Sequence, residues 1–153
     1  MSGAPASVRV LAVDAGTGQA LRMAVLRPWQ EPGEEMYELE RDPGTAHYAA
    51  LDEAGEVLAV GSVMAEVHPR EPREGDWRVR GMATRDRERG RGLGALVLEV
   101  LERHARERGA RRVWCNARTG ARAFYEAAGW SAEGEEFEIA RIGPHLLMSK
   151  TLG

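Results

Sequence analysis

The sequence predicts an α/β fold, a mixed sheet of six to seven strands with crossover helices, and three observations carry that expectation. Short apolar runs recur at strand spacing in seven places, and one long stripe at helical spacing lies between the fourth and fifth of them. The length, 153 residues, is enough for one buried core without disulfides or metals. With 43% hydrophobic and 29% charged residues, the composition is that of a folded globular chain, not of a disordered segment or a coiled coil. A short flexible tail is expected at 1–7 and a single domain at 8–153.

Taken in order, residues 8–13 read as a strand, and Asp14, Gly16, Thr17 and Gly18 supply turn and helix-cap chemistry. A first helix follows on Leu21, Ala24 and Val25, closed by Pro28; residues 30–44, rich in Pro, Gly and Glu, read as a substrate-facing loop. Residues 47–51 and 57–67 form a hairpin around Gly55. Extended pattern resumes at 77–84, with Trp77, Val79, Gly81 and Ala83 expected on one face. Leu93, Leu96, Val97, Val100, Leu101 and Ala105 then trace the helical stripe, which Gly109 stops. A strand at 113–116, a helix around 121–128 ending at Gly129, and two strands flanking a Gly143-Pro144 turn complete the chain. Glu133, Glu135, Glu136 and Glu138 read as a solvated stretch, and the four Trp as core and rim packing.

Charge and cysteine content exclude several classes. A formal net charge of -3 and a pI near 5.9 argue against a surface built to hold nucleic acid or an anionic membrane. The single Cys115 has no disulfide partner and no second Cys with which to bind zinc; in the run Val113-Trp114-Cys115 it reads as a buried structural thiol. With neither a secretory pattern nor a membrane-length apolar run, the expected setting is cytoplasmic.

The chemistry concentrates between Thr84 and Gly94. A strand, a Gly-rich turn and a helix N-terminus in that order present free N–H groups and the positive end of a helix dipole, which is an anion site, and glycines allow a phosphate to approach the backbone. Arg85, Arg87, Arg89 and Arg91 add positive charge around the mouth, partly offset by Asp86 and Glu88. A P-loop is excluded because no Lys followed by Ser or Thr closes the run; a dinucleotide fingerprint lacks its acidic residue about 20 positions on, where Cys115 and Asn116 stand.

Arg89, Gly92 and Gly94 match the Arg/Gln-x-x-Gly-x-Gly/Ala pattern, and Phe124-Tyr125-Glu126-Ala127-Ala128-Gly129-Trp130 matches Phe/Leu-Tyr-Glu-x-x-Gly-Phe/Trp. In both, the chain resembles the GNAT family of N-acetyltransferases. That resemblance implies an acyl-CoA acyltransferase fold with helices on both faces of the sheet and a splayed central strand pair. It implies acetyl-CoA as co-substrate, an amine as acceptor and, in some members, a homodimer through the last strands. Met82, Ala83 and Thr84 would pair with the pantetheine arm, with the Met82 N–H polarising the acetyl carbonyl; Arg89, Gly90, Arg91, Gly92, Leu93 and Gly94 would hold the pyrophosphate; Asn116 and Phe124 would line the cofactor site. Tyr125 resembles the family's general acid. The family often places Asn seven residues before this Tyr, where this chain has Arg118, so one contact to the arm is altered.

The general base stays open among Glu66, His68, His145 and an ordered water, Glu66 being the leading side chain because it ends the long strand on the face of Val60, Ser62 and Met64. A non-catalytic acyl-CoA sensor of the same fold is the alternative function. The acceptor amine and the length of the acyl group are not written in the sequence.

Overall fold

The computed structural model describes residues 7–18, 21–22, 43–140 and 142–153. The first expected helix, apart from Leu21 and Arg22, most of the loop at 30–44, Trp29 and all but Ser7 of the expected tail lie outside the described residues.

Seven strands form one sheet in the order β1-β2-β3-β4-β5-β7-β6. They are β1 (Arg9–Val13), β2 (Ala46–Leu51), β3 (Val57–Ala65), β4 (Asp76–Thr84), β5 (Arg112–Arg118), β6 (Ser131–Ile139) and β7 (Gly143–Thr151). All neighbours are antiparallel except β4 and β5, which run parallel because helix α1 (Leu93–Glu107) carries the chain back across the sheet. A short helix, α2 (Arg122–Ala127), follows β5.

Helix α1 buries Leu93, Val97, Leu98 and Leu101 at 1% exposure or less, packed on Ala59, Val63, Val79 and Val113 of the central strands. Truncating a side chain so enclosed, as in Leu101→Ala, costs about 2–5 kcal/mol. Gly109 (φ 88) and Gly129 (φ 93) end the two helices in the left-handed region, and the N–H groups of Ala110 and Trp130 return to Ala105 and Tyr125. Tyr125 and Trp130 join the same core, so α1 and α2 share one face; Leu21, in a helical turn, packs with Ala49, Val60 and Ala83 on the other.

Two expectations need correcting. Val79 faces α1 but Ala83 faces the opposite way, because β4 carries one extra residue: the register to β3 shifts between Val60 and Ser62, and Gly81 sits in the left-handed region at φ 66. The acidic run is solvated as expected, apart from half-buried Glu133. It lies within β6, an edge strand whose outer side chains meet water, with an irregularity between Glu133 and Phe137 where Gly134 takes φ 70. Pro144 falls inside the same ladder, paired with Glu138, rather than in the turn.

Candidate active site

The bulge at Gly81 and the parallel pairing of β4 with β5 together make the site. Pairing holds at Asp76 with Arg112, Trp77 with Val113 and Arg78 with Trp114, then stops. Beyond Arg78 the two strands diverge, so the edge of β4 that faces β5 offers backbone N–H and C=O groups without a strand to take them. A cleft of about 910 Å³ fills the divergence, a size suited to a cofactor-sized ligand.

At one end the cleft reaches the Gly-rich loop. Gly90 and Gly92 sit at φ 82 and 78, no side chain caps α1, and no acidic residue stands in its first turn, so its amino end is open to an anion. Gly94 is a close approach: a Cβ there would lie 3.2 Å from the Phe124 ring. Of the four arginines expected around the mouth, only Arg89 lines the cleft. Arg85 and Arg87 turn back to Glu56, at 3.2 and 3.3 Å, and Arg91 pairs with Glu88. Arg118 lines the same end, and burial together with the neighbouring Arg89 charge lowers its pKa.

Tyr125 lies at the seam, 5% exposed, its ring edge-on to Phe124 at 5.0 Å and tilted against Trp130 at 5.1 Å. Burial, then the Cys115 neighbour, pushes its phenol well above its ordinary range, so it holds its proton at neutral pH. Burial also pushes the Cys115 thiol up to about 12, against smaller opposing effects of Tyr125 and Arg78. Cys115 is therefore buried as expected, yet it lines the cleft.

Met82, Ala83, Thr84, Leu93, Asn116 and Phe124 line the cleft as well; Glu66 and Arg91 do not. The Glu66 carboxylate is held by Arg78 at 3.2 and 3.3 Å. His68 is 1% exposed: Nδ1 accepts the N–H groups of Arg70 and Glu71, and Nε2 faces Glu133 at 3.3 Å, so the ring anchors the loop after β3. His145 does line the cleft, and Nδ1 meets the Gly143 carbonyl at 2.8 Å, which places the proton on Nδ1 and leaves Nε2 as the basic nitrogen.

Sequence reasoning missed Arg22, Arg78 and Arg80, which also line the cleft. For Arg78 and Arg80 the signal was plain alternation: with Val79 facing α1, they share the opposite face with Met64 and Ser62, their register partners.

A splayed parallel pair beside an uncapped, Gly-rich helix N-terminus sets an open strand edge and an anion site along one cleft. The sequence pattern of the acetyltransferase (GNAT) family matches residues 17–130, and the chain belongs to that family. Among its relatives, an uncharacterized N-acetyltransferase of Bacillus subtilis, YitI, is 32% identical over 132 residues, covering 86% of this chain and 88% of that one. An acyl-CoA N-acyltransferase from Pseudomonas aeruginosa superposes with a TM-score of 0.73 at 22% identity, over 94% of this chain and 99% of its own. An aminoglycoside 6'-N-acetyltransferase solved with coenzyme A gives 0.70 at 15% identity, over 94% and 96%. By its family membership the chain is an acyltransferase. No described helix is long and apolar enough to cross a membrane, and the described residues hold no cluster of metal-ligating side chains.

Proposed function

We propose that the chain transfers the acetyl group of acetyl-CoA to a primary amine by direct attack in a ternary complex. The observation that carries this reading is the opening of β4 from β5 with Tyr125 at the seam and the Gly-rich loop at its end. The β4 edge around Met82 pairs with the pantetheine arm as a pseudo-strand, and a backbone N–H there stabilises the oxyanion, a contribution of about 3–4 kcal/mol when such a donor is well aimed. Residues from Arg89 to Gly94 hold the pyrophosphate. Nothing covalent is asked of the enzyme, so its side chains have only protons to move.

Tyr125 supplies the proton that the departing thiolate needs. His145 takes the proton that the attacking amine must lose, directly or through a water, because of the three candidate side chains it alone lines the cleft. Glu66 acts at one remove, by fixing Arg78.

The test is amine-dependent thiol release from acetyl-CoA across a panel of amines, with Tyr125→Phe as the probe. The reading expects release only with amine present, and kcat lower by about 10²–10⁴-fold in the variant with acetyl-CoA still bound. Binding of acetyl-CoA without any amine-dependent release would favour the sensor alternative.

A further inference from the structure

The wall of the cleft beyond the bulge is basic. On the face opposite α1, Arg78 and Arg80 stand two residues apart on β4, about 7 Å along the strand, and Arg22 reaches the same wall by bonds to the Gly81 carbonyl and the Ser62 hydroxyl, at 2.9 and 2.6 Å. The cofactor's phosphates do not account for these cations. Six residue steps, about 20 Å of strand, separate Arg78 from Thr84 beside the phosphate loop. Among the described residues that line the cleft, the one acid, Glu88, belongs to that loop end, where Arg91 holds it.

Arg78 is built to receive an anion. Its guanidinium lies over the Trp114 ring at 4.9 Å and is tied to Glu66 through Nη1, so the fork is held in place. Its Nε is buried and lacks a partner among the described residues. A buried donor left open in this way is costly unless a ligand closes it, and a planar carboxylate suits a guanidinium edge.

Resting on the proposed acyl transfer to an amine, we infer that the acceptor is a small amine carrying a carboxylate, an amino acid or short peptide, whose carboxylate docks on Arg78. The amine end then points toward the bulge and His145.

The test uses the full chain saturated with CoA, so that the phosphate end is occupied, and titrates it calorimetrically with N-acetyl amino acids and with the matching N-acetyl amino-acid amides as product analogues. The inference expects at least one carboxylate to bind about tenfold or more tighter than its amide, the discrimination of one charged hydrogen bond. Arg78→Gln should erase that difference, Arg78→Lys should restore part of it, and the affinity for CoA should stay unchanged in both, which also certifies the fold. Amides that bind as well as carboxylates, carboxylates that do not bind at all, or a preference for spermidine over every amino acid would overturn the inference and leave the acyltransferase reading standing. Failure of CoA itself to bind would overturn both.

Discussion

Replacing Gly81 by Ala probes the bulge that makes the cleft. Gly81 holds φ 66, where an L side chain costs about 1–2 kcal/mol. The added Cβ would lie 2.7 Å from Arg22 Nε and 3.1 Å from its Cζ, so the guanidinium must leave. Arg22 is 8% exposed and donates to the Gly81 carbonyl and to Ser62; losing one such charged hydrogen bond adds about 1.5–3 kcal/mol. The sum, about 2.5–5 kcal/mol, lowers Tm by roughly 5–20 °C for a chain of this size. Gly55→Ala is the control. Gly55 has φ 83 in the β2–β3 turn, but a Cβ added there would meet nothing within 4 Å, so only the backbone cost of about 1–2 kcal/mol applies. Urea unfolding of both variants measures the difference, and calorimetry measures acetyl-CoA affinity, which should fall for Gly81→Ala alone. Equal destabilisation of the two, or unchanged cofactor binding in Gly81→Ala, would refute the reasoning.

Other consequences are open to the same equipment. Asp76 is buried and raised by that burial, but the Arg112 side chain and the N–H groups of His68 and Arg73 outweigh it and set the carboxyl at about 2. A folded-state value below the unfolded one gives stability that is present above about pH 4 and lost as pH falls through about 2. Asp76→Asn leaves Arg112 buried without its partner and should cost about 3–5 kcal/mol in urea unfolding at neutral pH, with a flatter acid limb; a loss under 1 kcal/mol would contradict the ion pair's role. Cys115, held near 12, should resist a disulfide reagent at pH 8 in the native protein and react once in denaturant, and prompt native labelling would contradict its burial. His145→Gln should lower kcat while leaving the Kd for acetyl-CoA alone; an unchanged kcat would exclude it as the base.

The strands, the long helix and the loop were legible because each is written locally. Periodicity marks α1 from Leu93 to Ala105, glycines mark both helix ends, and Arg89, Gly92 and Gly94 mark the anion site. What escaped the sequence depends on partners far along the chain. Alternation assigns Ala83 to the face of Val79, and only the register with β3 reveals the inserted residue at Gly81. Glu66 and His68 look equally available at the end of a strand, but Arg78 is 12 residues from the first and Glu133 is 65 from the second. The arginines of the loop split for the same reason, since Glu56, from a different hairpin, draws Arg85 and Arg87 away. Edge position extends β6 back to Ser131, because a strand with one solvated face accommodates Glu133, Glu135 and Glu136 ahead of the apolar alternation of Phe137 and Ile139.

Thermal unfolding with and without acetyl-CoA, with NAD and ATP as controls, tests the central claim most directly. At about 100 times its Kd, acetyl-CoA should stabilise the chain by roughly 2.7 kcal/mol, a shift of several degrees, and the two control nucleotides should leave Tm in place. A flat response to acetyl-CoA, or stabilisation by NAD or ATP alone, would contradict the assignment of the cleft.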